Sequence, residues 1–212
     1  MIKHFNQADI QQLERIYRAN LINSVSGYKS ANLIGTISDN GVTNVAIFSS
    51  VVHLGADPAL LAFVQRPVGE QGHTYKNILQ NGCYTINHVH RHFAIQAHYT
   101  SAKFDQATSE FDACYLTPEW LEGFPAPFVR ESQVKIGMRL VQEIPIALNN
   151  TILMIGQVEH LFVAEHALQP DGRIALDLVD DVCISGLEAY HDVVPFAVLP
   201  YAKTTQLPDF KQ

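Results

Sequence analysis

Charge is scarce in this chain. Asp, Glu, Lys and Arg make up 17% of the 212 residues, against about 25% in an average soluble domain. With 47% hydrophobic residues, the deficit implies more buried surface than usual, in a long core or a subunit interface. Basic residues are the scarcer sign: 14 Lys and Arg stand against 21 Asp and Glu, a formal net charge of -7. No basic cluster breaks the pattern, so a phosphate backbone would be repelled and nucleic-acid binding is disfavoured. Cysteine is scarce too. Cys83, Cys114 and Cys183 lie far apart with no C-x-x-C pair and no metal-ligand spacing, as expected of reduced thiols in the cytosol. The N-terminus lacks the apolar stretch of a secretory signal, and no segment approaches the roughly 18 consecutive apolar residues of a membrane span. Internal repeats, low-complexity runs and Gly/Pro/Ser-rich linkers are also missing, so a single cytoplasmic domain is expected.

Patterned segments fill the rest. Ile10, Leu13, Ile16, Tyr17 and Leu21 recur at helical spacing, which predicts one amphipathic helix with Asp9 as its N-cap. ANLIGTIS and TNVAIFSSVV flank Asp39-Asn40-Gly41, whose chemistry supplies positive φ in a tight hairpin, so two antiparallel strands follow. ALLAFVQ, after Asp57-Pro58, reads as a strand buried on both faces. Thr74 as N-cap and Gly82 as C′ residue bracket a helix of about two turns, with CYTINHV as the next strand. Val134, Ile136, Met138 and Leu140 alternate with Lys135, Gly137, Arg139 and Val141, the pattern of a half-buried strand. Residues 151–163 continue as its hairpin partner after Asn149-Asn150. Many strands, few helices and no βαβ rhythm predict a mainly β fold: an antiparallel barrel with short peripheral helices and an N-terminal helix. The long polar, then Pro-rich connection over residues 101–130 is of a length that usually carries function or covers a subunit contact.

The segment from Asn44 to Thr74 carries most of the chemistry. Asn44, Ser49 and Ser50 offer amide and hydroxyl donors at a strand end; Arg66, with Thr74 at a helix start, offers a fork of N–H donors beside free backbone amides. Together they suit a phosphate, although an ordinary strand end and helix cap use the same residues. No G-x-S-x-G surrounds any serine, which disfavours triad hydrolysis, and no G-x-G-x-x-G marks a nicotinamide domain.

The order NxAxFSS, DPxLL, RPxG, HTYKNI and YTINHV, followed by TSEFDACYLTP, PAPFVRESQVKIGMRL, ILMIGQVEHL and GLEAY, resembles the flavin reductase-like family of FMN-binding split barrels over about Tyr28 to His191. The resemblance implies a split β-barrel over residues 25–192, an N-terminal helical extension over 1–24 and a C-terminal tail over 193–212. It implies FMN lying at a homodimer interface with its phosphate near the short helix. On matching positions, Arg66 and Thr74 hold the phosphate. His73 stands where relatives often have Lys. Asn44, Ser49 and Ser50 line the flavin strand, and Ala46, Ile47 and Phe48 give backbone contacts. Tyr190 reaches the flavin from the C-terminal arm of its own or the partner subunit, or simply packs that arm.

The implied activity is an FMN-dependent oxidoreductase that takes a hydride from transiently bound NAD(P)H, with no general acid or base named. One alternative is a redox carrier that keeps FMN without turning over NAD(P)H. Another is a metal- or haem-binding split barrel built on His88, His90 and His92, which strand alternation would place on one face. No carboxylate at a ligand spacing accompanies those histidines, so no metal site is expected.

Overall fold

A computed structural model describes residues 1–69 and 72–210; Glu70 and Gln71, inside the RPVGEQGHT run, and Lys211 and Gln212, in the tail, lie outside the described residues. The elements in chain order are α1 (Gln7–Gln12), α2 (Arg15–Val25), β1 (Lys29–Ser30), β2 (Asn32–Ile37), β3 (Thr43–Phe48), β4 (Val52–Ala56), β5 (Ala59–Gln65), α3 (His73–Asn81) and β6 (Cys83–His88). They continue with α4 (Ala94–Tyr99), α5 (Glu110–Ala113), β7 (Pro118–Glu119), β8 (Phe128–Val129), β9 (Val134–Ile146), β10 (Thr151–Val163), β11 (Val182–Ser185) and β12 (Ala189–Asp192).

Seven strands form one antiparallel sheet in the order β3-β2-β6-β9-β10-β5-β4. Its two edges, β3 and β4, are consecutive in the chain and only three residues apart, so the sheet must curl back on itself. The chain, rather than a ladder, closes the barrel there. Ser50 staples the split: its hydroxyl donates to Val64 O at 3.2 Å and accepts from Val64 N–H at 3.0 Å. Phe48 packs edge-on against Phe63 across the same gap, with centroids 5.0 Å apart. Inside the barrel, Ile34, Phe63, Tyr84, Ile86, Met138 and Met154 form a buried cluster. Gly156 faces that cluster, where a Cβ would lie 2.2 Å from Tyr84 Oη, so only glycine leaves room for the phenol. A second cluster, including Leu33, Val45, Phe93, Phe111 and Val129, covers the outer face of β2 and β3.

Alternation along β2 therefore serves two cores, and the strand is buried on both faces. The Asp39-Asn40-Gly41 turn is as expected, with Gly41 at φ 79° and β2 paired to β3. Gly82 likewise ends α3 at φ 68°.

Several local expectations are corrected. The N-terminal segment is two short helices instead of one. Asn6 and Asp9 close a reciprocal capping box on α1, so Asp9 is the third helical residue and not the cap, while Glu14 takes the Ile16 and Tyr17 N–H groups to start α2. Neither helix buries a residue. On β5 only Ala62 and Phe63 are buried, because the outer face of the β4–β5 edge carries no cover among the described residues. On β9 the alternation fails in the opposite sense: Val134–Met138 is buried throughout. The connection over residues 117–130 lies on that face, placing Phe124 over Gly137 and pairing the buried Lys135 ammonium with Glu119.

β6 ends at His88, and Arg91–Phe93 is a 3₁₀ turn, so strand alternation does not govern the three histidines. His88 Nδ1 meets Asp181 Oδ2 at 2.6 Å, His90 Nδ1 lies 3.3 Å from Asp181 Oδ1, and His92 is exposed. Among the described residues, no group of three or more His, Cys, Asp or Glu could hold a metal ion. His90 is fully buried, and Gln133 N–H donates to its Nε2 at 2.6 Å, so the neutral ring carries its proton on Nδ1. Burial, partly opposed by Asp181, pushes its pKa down to about 4 from 6.5. Between those values the unfolded chain binds more protons than the folded one. The stability His90 contributes is thus complete above its unfolded pKa and falls as the pH drops towards 4, by up to about 1.4 kcal/mol per pH unit. His90→Gln, which keeps an acceptor for Gln133, should flatten this acid slope in denaturant titrations; an unchanged slope would assign it to other groups.

Candidate functional site

An open cavity of about 1090 Å³ lies between the free edge of β3, the end of β5, the start of α3, the segment after α4 and the β11–β12 hairpin. All ten residues singled out in the sequence line it. Asn44, Ala46, Ile47 and Phe48 come from β3, Ser49 and Ser50 from the turn that follows, Arg66 from the end of β5, His73 and Thr74 from α3, and Tyr190 from β12.

β3 has only one partner strand, so half of its backbone groups point outward. Val45 N–H is one of them and donates to Glu110 Oε2 at 3.2 Å. Alternation aims the Ile47 N–H and C=O toward the same open edge, beside the cavity. The α3 terminus supplies further donors. Its N-cap is Gly72, which brings no side-chain capping bond, and no side chain among the described residues takes the first helical N–H groups. Thr74 is therefore inside the helix and does not cap it. Its buried hydroxyl lies 3.1 Å from the Asn44 amide, and Thr36 Oγ1 lies 3.2 Å from that amide. With the Asn44 amide rotated so that its nitrogen donates to Glu110 Oε2 at 3.3 Å, its oxygen accepts from both hydroxyls. Asn77 Nδ2 donates to Thr36 Oγ1 at 3.1 Å and completes the chain.

The Arg66 guanidinium is exposed at the rim, with no ion pair among the described residues. Burial, reinforced by Lys76, lowers the His73 pKa, so this side chain is neutral near pH 7, unlike a Lys at the same place. Gln65 Oε1 is buried without a partner among the described residues and lines the cavity, an acceptor left for a ligand donor. Ser49 is half-buried and its hydroxyl makes no bond among the described residues. Val64 takes the single proton of the Ser50 hydroxyl, so toward a ligand this oxygen can only accept.

Tyr190 comes from the same chain as the rest of the cavity. Its hydroxyl lies 3.2 Å from His98 Nδ1, and burial pushes its pKa up to about 12. The three thiols are unpaired with pKa values raised by burial, so none is poised as a nucleophile.

Sequence reasoning missed four contributors: Glu110, His98 as the partner of Tyr190, and the cations Lys29 and Lys103. Glu110 is 5% exposed, and burial raises its pKa, opposed by the N–H groups of Glu110 and Val45. Its short helix is anchored by the buried Phe111, but nothing in TSEFDA states that its carboxylate meets the β3 wall of the cavity, where its partner Val45 lies 65 positions away.

A Shewanella frigidimarina protein that carries a provisional flavin reductase name and a split barrel domain is 48% identical, with a TM-score of 0.91 over 94% of this chain and 100% of that one. Nitrilotriacetate monooxygenase component B from Bacillus cereus has the same fold at 22% identity, with a TM-score of 0.82 over 94% of this chain and 99% of that one. An uncharacterised Aquifex aeolicus protein is 27% identical over 115 residues, which is 53% of this chain and 59% of that relative, under two thirds of its length. The sequence profile of the flavin reductase like domain matches residues 26–180, and the chain belongs to that family.

Proposed function

We propose that the cavity binds FMN and that the protein is an NAD(P)H-dependent flavin oxidoreductase. The observation that carries this is the conjunction of Arg66, unpaired among the described residues, with an α3 terminus that Gly72 leaves without a side-chain cap, both lining a cavity floored by the free edge of β3. A cation beside unsatisfied helical N–H groups suits a phosphate, and the open β3 edge suits a flat heteroaromatic ring with its own donors and acceptors. The orphaned Gln65 Oε1 adds an acceptor for a hydroxyl or N–H of the same ligand.

When bound, the isoalloxazine supplies the redox chemistry by accepting a hydride from NAD(P)H. The chain's residues bind and orient. Arg66 and the first N–H groups of α3 hold the phosphate, the Ile47 backbone fixes the ring, and the neutral His73 adds polarity without charge. Tyr190 and His98 also line the cavity, and the Tyr190 phenol stays protonated there near pH 7. The chain offers no dinucleotide fingerprint, so the nicotinamide donor is bound only transiently, against the open side of the cavity.

Anaerobic rapid mixing of the FMN-loaded protein with NADH or NADPH should bleach the flavin absorbance far faster than in free FMN. A flavin that stays oxidised with both donors would leave the protein as an FMN-binding redox carrier.

The same reading includes a homodimer. Val52 and Leu54 on β4, and Val141 and Ile144 on β9, are exposed apolar side chains on parts of the sheet that no segment covers among the described residues. If the second subunit completes the cavity, saturating FMN strengthens association by reciprocal linkage. Sedimentation at falling protein concentration should show a dimer that persists to lower concentration with FMN present. A monomer with full FMN affinity would contradict it.

A further inference from the structure

Glu110 is an unexpected neighbour for an anion site. It is buried at the cavity wall, and no cation lies within ion-pair distance of it among the described residues. Its Oε2 takes the Val45 N–H, and the Asn44 amide joins it to Thr74 on α3, so only two hydrogen bonds separate the carboxyl group from the helix terminus where a phosphate would sit. A carboxylate that close to a phosphate dianion, in a site of reduced dielectric, opposes binding unless it is neutralised.

The surroundings do not neutralise it by charge. β3 presents it with the Asn44 amide, which Thr36 on β2 and Thr74 on α3 engage in turn, while Cys114 on its own segment is the titratable group beside it and the neutral His73 on α3 lines the same cavity. Across the cavity stand Lys29, Arg66, Lys103 and His98, with Glu188 and Tyr190 from the hairpin. None of them is paired with Glu110 among the described residues.

We propose that Glu110 takes up a solvent proton when a phosphorylated flavin binds, and so makes the preference for FMN over riboflavin depend on pH. The inference rests on the assignment of a phosphate to the α3 terminus. In the bound complex Glu110 is a neutral acid that keeps the Val45 and Asn44 contacts through its remaining acceptor lone pairs. In the free protein near or above neutral pH it is ionised in a larger fraction of molecules. The sign follows directly: binding consumes a proton, so phosphate-dependent affinity weakens as the pH rises. Burial, which already raises the Glu110 pKa, brings this linkage closer to neutral pH.

The test is a titration of the full-length protein with FMN and with riboflavin at about pH 6 and about pH 9, repeated for Glu110→Gln. In the wild type, the ratio of FMN to riboflavin affinity should fall about tenfold across this range, one pKa unit of coupling. Glu110→Gln keeps an acceptor for Val45 N–H but carries no charge, so its ratio should stay high at the upper pH. Ionisation of the FMN phosphate itself affects both proteins alike and cancels in the comparison. Parallel profiles for wild type and variant would overturn the role of Glu110 while leaving a preference for FMN intact. Equal FMN and riboflavin affinities in both proteins at every pH would overturn the phosphate assignment itself. Should the variant fail to fold, calorimetry of the wild type in buffers of different ionisation enthalpy decides at about pH 8. Net proton uptake with FMN and none with riboflavin supports the coupling, and no uptake with FMN refutes it.

Discussion

Gly35→Ala is expected to destabilise the protein by about 3 kcal/mol, at the high end of overpacking substitutions. The alanine Cβ would lie 2.3 Å from the Pro127 carbonyl oxygen and 2.5 Å from Thr85 Oγ1. Neither atom can yield cheaply. Thr85 Oγ1 donates to that carbonyl at 2.7 Å, Val129 N–H donates to Asn87 Oδ1 at 3.0 Å, and Asn87 Nδ2 donates back to Leu33 O at 3.2 Å. These bonds pin the long connection onto the outside of the barrel, and all of them are buried. Displacing Pro127 would break the first and strain the others, leaving unsatisfied groups without water. Denaturant midpoints of wild type and variant give the difference. A change within about 0.5 kcal/mol would show that the connection can lift off freely.

Arg66→Ala is expected to weaken FMN binding by about 1.5–3 kcal/mol, the size of a hydrogen bond to a charged group, without loss of stability. Arg66 is exposed and unpaired among the described residues, so nothing in the free protein depends on its charge. Riboflavin affinity should stay the same, because the loss concerns the phosphate alone. Fluorescence titration of both flavins separates the cases. An equal loss for riboflavin would place Arg66 against the ring instead, and an unfolded variant with unchanged residual affinity would make it structural.

The parts of the fold legible in the sequence are those fixed by neighbours in the chain. Asp39-Asn40-Gly41 and Gly82 needed only local φ values, and both are turns in the structure. The paired β9 and β10 followed from an Asn149-Asn150 turn between two long apolar runs. Burial was harder to read wherever a distant segment decided it. Lys135 is buried because Glu119 and the Phe124 connection cover it, and β5 is half-exposed because nothing among the described residues covers its outer face. The cap of α3 shifted to Gly72 for a similar reason: the Thr74 hydroxyl is engaged with Asn44, thirty residues earlier, instead of with its own helix.

The candidate site divides the same way. Its ten residues could be picked out because ordered motifs along the chain resemble one family, and the fold then gathers them around one cavity. Glu110 stands inside one of those motifs, TSEFDACYLTP, without any sign of a role at the cavity, and His98 stands in none of them. Their place depends on the packing of Phe111 and Phe93 against the outer face of β3, a contact between segments remote in sequence.

The most direct measurement of the account is a crystal structure of the protein with FMN bound. The phosphate should lie at the N-terminus of α3, within hydrogen-bond distance of the Arg66 guanidinium and the first helical N–H groups, with the ring system along the open edge of β3 beside Ile47. A flavin bound elsewhere on the barrel, or one in this cavity with its phosphate turned toward Lys29 and Lys103, would contradict it.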